Sequence, residues 1–320
     1  MRREYTVVDL FSGGGGFSRG FEEAGFRTLV AIENYPPAAK TFKANFPSSV
    51  VIAEDIKEVS HREIKAISGL GREEVDVVIA SPPCEPFTPA NPERMRDPLD
   101  RLYSDPQGLL FLHAIRLVGE LRPRLFVIEN VPGILEGGIK DSIARELRRV
   151  GYGSVHFNLL KAEEHGSPSE RVRVFVSNVR ISPPSSPGPT VEEVLGNMPP
   201  PGSHLLNHDY PAEVPRRYRA RLGKLKWGRA LLRFRGAEGM LPNYVRLDPR
   251  RKAPTVMGSS RFVHPYEPRL LTVREQARLM SFPDYHLFLG SRDAQYNMVG
   301  EAVPPALAMA IALHLRQFLE

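Results

Sequence analysis

The sequence predicts an α/β protein, a doubly wound parallel sheet carrying a second, smaller lobe. Three observations predict it. The N-terminal half alternates short β-branched runs with helical patterns, the rhythm of strand–helix–strand units. Two of those runs, 77–80 and 125–128, are apolar on both faces, as strands buried inside a parallel sheet are. The alternation stops near Ser177. The proline-rich stretch 182–189 then reads as a stiff, non-helical linker into an arginine-rich segment of irregular periodicity.

The elements follow in order. Expected strands are 6–10, 28–32, 50–53, 75–80, 125–130, 155–160 and 173–176. Expected helices between them include 18–24, 38–45, 109–121 and 139–150. The helical pattern returns at 272–280, and a last apolar helix is expected at 306–318. The division expected is residues 1–180 for the sheet domain, 181–285 for the small lobe and 286–320 for a C-terminal segment returning to the first domain.

Composition narrows the class. With 320 residues, 42% apolar and 25% charged, the chain reads as globular, of one large domain or two smaller ones. Its single cysteine excludes an intrachain disulfide and any zinc site needing two cysteines, and no metal site is expected. The longest apolar tract, 302–315, is interrupted by Pro304, Pro305 and His314, so no membrane association is expected. Asp9 breaks the apolar run after the basic N-terminus, which argues against a signal peptide and for a cytoplasmic protein. The net charge of +6 is uneven. Residues 182–252 hold thirteen basic and six acidic residues, +7, leaving −1 for the rest. From Arg216 to Arg235 there are nine basic residues and no acidic one. A merely solvated face would include acids, so this stretch reads as a phosphate-binding surface.

Chemistry-bearing groups cluster at the expected strand ends. The first strand runs into Asp9-Leu-Phe-Ser-Gly-Gly-Gly-Gly-Phe17, a glycine-rich turn where open α/β sheets bind nucleotides. No Lys-Ser/Thr follows, and the dinucleotide spacing is not met. Glu33 follows the second strand, where a carboxylate accepts from ribose hydroxyls. Asp55 follows the third, where one can accept from an adenine amino group. Without a phosphate cradle, an adenosine ligand of this kind favours S-adenosylmethionine over NAD. The fourth strand leads into Ser81-Pro-Pro-Cys-Glu-Pro-Phe-Thr88. A cysteine on a polar loop fixed by prolines is a poor core residue and a good nucleophile. Glu129 ends the apolar fifth strand, and desolvation there would raise its pKa and let it share a proton. Arg171 and Arg173 share a strand face and can clamp a carboxylate or a pyrimidine carbonyl.

Taken together, these motifs resemble the cytosine-C5 methyltransferase family. Arg269-Leu-Leu-Thr-Val-Arg-Glu-Gln-Ala-Arg-Leu279 and Val299-Gly-Glu-Ala-Val-Pro-Pro305 complete the ordered set. The likeness covers the chain apart from roughly 182–252, the family's variable target-recognition region. The resemblance implies a Rossmann-like S-adenosylmethionine-dependent methyltransferase sheet and transfer of a methyl group to C5 of a flipped-out cytosine, releasing S-adenosylhomocysteine. It implies that Cys84 attacks C6, Glu129 contacts N3 and the exocyclic amine, Arg173 contacts O2 and Arg171 supports the site. It carries the cofactor contacts onto Phe11, Gly13, Gly16, Glu33, Asp55, Ile56, Pro82, Leu110, Glu301 and Ala302. The loop 85–108 matches the family's mobile loop over DNA. Arg94, Arg96 and Arg101 within it, with Arg216, Arg217, Arg233 and Arg235, are the expected phosphate contacts.

Three positions depart from the family pattern, Glu85 and Ser169 where glutamine is usual and Glu301 where asparagine is usual. None removes a catalytic group. The expected partner is double-stranded DNA, bound by a monomer, with a restriction endonuclease on a separate chain as the companion the resemblance suggests. Two other readings stand beside this one. The Pro-Pro-Cys wording also looks like the family's tRNA-methylating branch, though that branch's Cys-Phe-Thr recognition motif is missing. An inactive DNA-binding regulator on the same frame is the other, against which the presence of Cys84, Glu129 and Arg173 argues.

Overall fold

The computed structural model describes residues 4–69 and 75–320. The chain runs β1 (Tyr5–Leu10), α1 (Gly16–Glu23), β2 (Phe26–Ile32), α2 (Pro36–Asn45), β3 (Val50–Ile52), α3 (His61–Ser68), β4 (Val77–Ala80), α4 (Pro98–Tyr103), α5 (Leu109–Leu121), β5 (Leu125–Asn130), α6 (Ile139–Arg149), β6 (His156–Lys161) and β7 (Val172–Ser177). These strands form one seven-stranded sheet in the order β3-β2-β1-β4-β5-β7-β6.

The sheet is wound on both faces because its central strands are apolar on both. Val8, Leu10, Val78, Ala80, Phe126 and Ile128 pack with Ile64, Phe111, Leu117 and Ile143 of α3, α5 and α6. The alternate residues Val7, Val77, Ile79, Leu125 and Val127 pack on the other face against Phe17 and Phe21 of α1 and Leu307, Ile311 and Leu315. Each large buried side chain of this kind costs about 2–5 kcal/mol when cut back to alanine.

One expectation is corrected. The sheet is mixed, not wholly parallel, because β7 runs antiparallel to both β5 and β6. Parallel neighbours need a crossover of a dozen or more residues, usually a helix. Residues 162–171 carry only a short 3-10 turn, so the chain reverses and inserts β7 between β5 and β6.

The second lobe holds α7 (Val191–Leu195), α8 (Arg216–Gly223), and the hairpin β8 (Ala230–Gly236) and β9 (Gly239–Arg246), to which β10 (Phe262–Val263) adds in parallel. Val214, Leu222, Leu231, Val263 and Leu270 make its small core. The proline-rich linker is tied down: Ser186 exchanges backbone hydrogen bonds with Glu164 and Gly166, both at 2.7 Å. The chain returns through α9 (Val273–Leu279), capped by Thr272 and Glu275, then α10 (Arg292–Glu301) and α11 (Pro305–Arg316). Residues Arg292–Arg316 would be long and apolar enough for a bilayer as one helix. They break between Glu301 and Pro305, and α11 is packed into the core.

Candidate active site

Strand ends on one edge of the sheet gather most of the sequence-predicted residues. Beyond β1 the chain turns through Phe11, Gly13 and Gly15 with φ of +61°, +54° and +89°. A side chain at Gly15 would stand 2.4 Å from the Phe46 ring. One at Gly16 would meet the Val303 carbonyl at 2.5 Å and Ala302 at 2.9 Å, so the turn and the chain's returning end are in contact. Gly13 and Tyr35 donate backbone N–H groups to the two oxygens of Glu33, each at 2.8 Å. Burial raises the Glu33 carboxyl above its usual range, and these bonds pull it back. The Ser12 hydroxyl is buried with no partner among the described residues. Ile56 and Pro82 are buried, Phe11 and Leu110 pack against the same core, and Asp55 accepts from the Lys57 N–H at 3.0 Å.

The loop after β4 is held from behind. Asn130 at the end of β5 donates its side-chain amide to the Pro82 carbonyl at 3.0 Å. The Phe87 and Thr88 N–H groups close a turn onto the Cys84 carbonyl. Cys84 therefore sits on a fixed scaffold, half-buried. Burial, helped by Glu85 and Glu129 against Arg173, pushes its thiol up to about 12, so the resting sulfur is protonated. Arg173 Nε lies 2.9 Å from Glu129 Oε1, both side chains largely buried. The antiparallel insertion of β7 makes this pair. It opposes Glu129 to Phe175 and Asn130 to Val174, placing the start of β7 beside the end of β5. Burial raises the Glu129 carboxyl, while Arg173 and then Arg171 lower it.

Several expected residues lie elsewhere or do something else. Arg171 does not clamp a ligand together with Arg173. It is 2% exposed, and its Nη1 donates to the Val256 carbonyl at 2.8 Å and the Gly300 carbonyl at 3.0 Å. It ties β7 to the chain's last third, and its own charge is destabilised by burial, lowering its pKa to about 9. Arg101 is buried and donates to the Met95 and Arg96 carbonyls and to Glu136. Arg94 donates to the Phe87 carbonyl and to Glu238 at 2.5 Å, across the gap to the second lobe. Of the three loop arginines expected on phosphates, Arg96 alone is exposed. Arg216, Arg217, Arg233 and Arg235 are exposed on α8 and β8. Arg246, counted in the basic excess, is buried on the carbonyls of Leu222, His264 and Pro265.

The three departures have distinct settings. Ser169 is buried, its hydroxyl 3.3 Å from Ser167. Glu85 is exposed beside Cys84. Glu301 leaves part of its surface in water, which screens it. Its carboxyl is nonetheless crowded, and burial with Glu85 and Glu33 pushes it up to about 7.

The description C-5 cytosine-specific DNA methylase matches residues 5–317. The chain belongs to that family. It is 46% identical to M.MJ0563P of Methanocaldococcus jannaschii, assigned as a type II methyltransferase, over 98% of this chain and 100% of that one. It is 34% identical to the type II methyltransferase M1.HphI of Haemophilus parahaemolyticus, over 96% of this chain and 85% of the other. A crystal structure of a protein assigned as a DNA modification methyltransferase, encoded within an E. coli prophage, superposes with a TM-score of 0.78 at 26% identity, covering 99% of both chains. Membership of the C-5 cytosine-specific DNA methylase family makes this chain an enzyme that methylates cytosine C5 in DNA, and the mixed sheet with its edge of strand-end groups is that family's fold. The hairpin β8–β9 was missed from the sequence. The alternation Leu231-Leu-Arg-Phe-Arg235 before Gly236 and Gly239 was its available signal.

Proposed function

We propose that the enzyme uses S-adenosylmethionine as methyl donor and Cys84 as a covalent nucleophile on a cytosine flipped out of duplex DNA. The groups at the first three strand ends suit an adenosyl ligand: a buried hydroxyl on Ser12 without a partner among the described residues, a carboxylate held at the turn on Glu33, and apolar Ile56 behind Asp55. Phe11, Gly13, Gly16, Pro82, Leu110, Glu301 and Ala302 would complete its surroundings. When bound, that donor supplies an electrophilic methyl group on a sulfonium.

The remaining chemistry belongs to the chain. Cytosine C5 is too electron-poor to attack a sulfonium unaided, so a nucleophile must first add to C6. Cys84 bonds C6 through sulfur as its thiol proton passes to solvent water. Glu129, whose proton affinity is raised by burial and lowered by Arg173, shares a proton with N3 and takes up the charge pushed into the ring. Arg173, already oriented by Glu129, faces the ring O2, and Arg171 positions the strand under both. After C5 is methylated, the C5 proton passes to solvent water, its electron pair restores the C5–C6 double bond and expels the Cys84 thiolate, and Glu129 recovers the proton shared with N3. The observation that carries this reading is the single cysteine on a loop anchored to β5, electrostatically coupled to the buried Glu129–Arg173 pair.

Residues 1–180 form the catalytic domain, 181–285 the target-recognition domain and 286–320 the returning segment. Arg96, Arg216, Arg217, Arg233 and Arg235 are the phosphate contacts. The enzyme works in the cytoplasm as a monomer, and a separate endonuclease reads the same site. Base-resolution methylation mapping of DNA and RNA from cells expressing the protein tests the substrate. Methylated cytosines within one short DNA sequence are expected, whereas methylation confined to RNA overturns the reading.

A further inference from the structure

We infer that His286 is a cofactor-positioning residue: its ring holds the Gly14 carbonyl and so sets the orientation of the glycine turn. This rests on the reading that the turn receives the methyl donor.

His286 lies 272 residues from Gly14 in sequence and is fully buried, its ring packed among Phe46, Phe282 and Phe288. Its Nε2 is 2.8 Å from the Gly14 oxygen, and its Nδ1 is 3.4 Å from Nε of Arg19. The guanidinium can only donate, so Nδ1 must accept. Nε2 then carries the proton and donates to Gly14. Arg19 thus selects the tautomer that the turn requires. The ring cannot take a second proton without setting two cations face to face. Burial and Arg19 accordingly push its pKa down to about 3.

Arg19 is held in its turn. Its Nη2 donates to the Asn45 carbonyl at 3.3 Å, and its guanidinium stacks 4.6 Å from the Phe46 ring centroid. Asn45 exchanges side-chain hydrogen bonds with the backbone of Leu287, at 2.7 and 2.9 Å. The segment carrying His286 is therefore locked to α2 on one side and to the turn on the other. The turn needs such a hold. Three of its residues lie in the left-handed region, and the Gly13 N–H is already committed to Glu33. Releasing the Gly14 carbonyl leaves the 14–15 peptide held by its Gly15 N–H on the Ser12 carbonyl at 2.9 Å, two peptides along from the one whose N–H orients Glu33. The effect belongs on cofactor affinity and not on the chemical step.

The test measures S-adenosylhomocysteine binding by calorimetry, together with KM for S-adenosylmethionine and kcat at saturation. The proteins are wild type, His286→Leu, His286→Gln and Arg19→Met, with circular dichroism to confirm folding. Loss of a buried hydrogen bond predicts about tenfold weaker binding and a similarly raised KM for His286→Leu. Its kcat should stay within about threefold. Glutamine can accept from Arg19 and donate to Gly14, so His286→Gln should recover binding to within about threefold of wild type. Arg19→Met, which frees the tautomer, should weaken binding about fivefold and decides the matter if His286→Leu does not fold. Wild-type affinity in both His286→Leu and Arg19→Met, or a fall in kcat without change in KM, overturns the role of His286. Failure of the wild type to bind the cofactor product at all overturns the reading of the turn instead.

Discussion

Around the reacting edge of the sheet, charge is taken out of water: Glu129 is 6% exposed and Arg171 2%, and Asp9 is wholly enclosed behind the glycine turn. In the second lobe, Arg216, Arg217, Arg233 and Arg235 keep their guanidiniums in solvent. The contrast follows from two different tasks. Burial moves proton affinities, so it raises Cys84 to about 12 and Glu129 above its usual range, setting which groups carry protons before a substrate arrives. The phosphate contact proposed for these arginines needs the reverse, a permanently charged group cheaply available to a polyanion. The hairpin of the second lobe also touches the loop that carries Cys84. The Ala237 N–H at the hairpin tip donates to the Pro89 carbonyl at 2.8 Å, and Glu238 pairs with Arg94 of the loop that follows Cys84.

The comparison breaks most sharply at Glu129. Glu129→Gln keeps the shape but cannot deliver a proton and loses the charge that orients Arg173. A fall in kcat of about a hundredfold is expected, with DNA affinity within about threefold by fluorescence anisotropy. In the other lobe, the double variant Arg233→Ala/Arg235→Ala should weaken DNA binding about tenfold and cut the slope of log K against log salt by about 1.8. An unchanged slope would remove the phosphate role of β8.

Asp9 sharpens the electrostatic half of the contrast. One of its oxygens accepts from Ser18 at 2.6 Å, and the other has no partner among the described residues. Burial is the largest cause that raises its carboxyl, from 3.8 to about 8. The folded state therefore binds a proton that the unfolded state has released. That stability is complete below about pH 4 and is lost as pH rises through about 8. The fall has a limiting slope of about 1.4 kcal/mol per pH unit. Asp9→Asn should flatten this fall in urea titrations run at pH 5, 6.5 and 8. The smallest effect is expected at the bridge between the lobes. If the phosphates run along the proposed arginine face, Glu238→Gln frees Arg94 and removes a nearby carboxylate, so DNA binding should tighten about two- to threefold at low salt. In 0.5 M salt the gain should vanish.

How much of this was legible in the sequence divides along the same line. Local patterns sufficed for the central strands, whose runs are apolar on both faces, and β5 and α5 lie where periodicity places them. Glu129 was legible as a carboxylate ending an apolar strand, and Cys84 as the single cysteine on a polar, proline-rich loop. The antiparallel course of β7 was not, since it depends on the shortness of 162–171 and not on any motif. The resemblance placed Arg94 and Arg101 among the phosphate contacts and charge counting put Arg246 in the basic excess, yet Arg101 and Arg246 are spent largely on backbone carbonyls and Arg94 on a carbonyl and Glu238, which composition does not reveal. His286 and Arg171 act on residues far away in the chain, at Gly14, Val256 and Gly300, and no local pattern announces such a bond.

The central claim is that Cys84 bonds directly to the target base. Duplex DNA carrying 5-fluorocytosine in the enzyme's recognition sequence, incubated with protein and S-adenosylmethionine, tests it by denaturing electrophoresis and peptide mass spectrometry. Fluorine at C5 cannot leave as a proton does, so elimination is blocked. A stable adduct mapped to Cys84 is predicted, absent from Cys84→Ser although that variant still binds the duplex. Methylation of the unmodified duplex by Cys84→Ser, or an adduct at any other residue, would contradict the account.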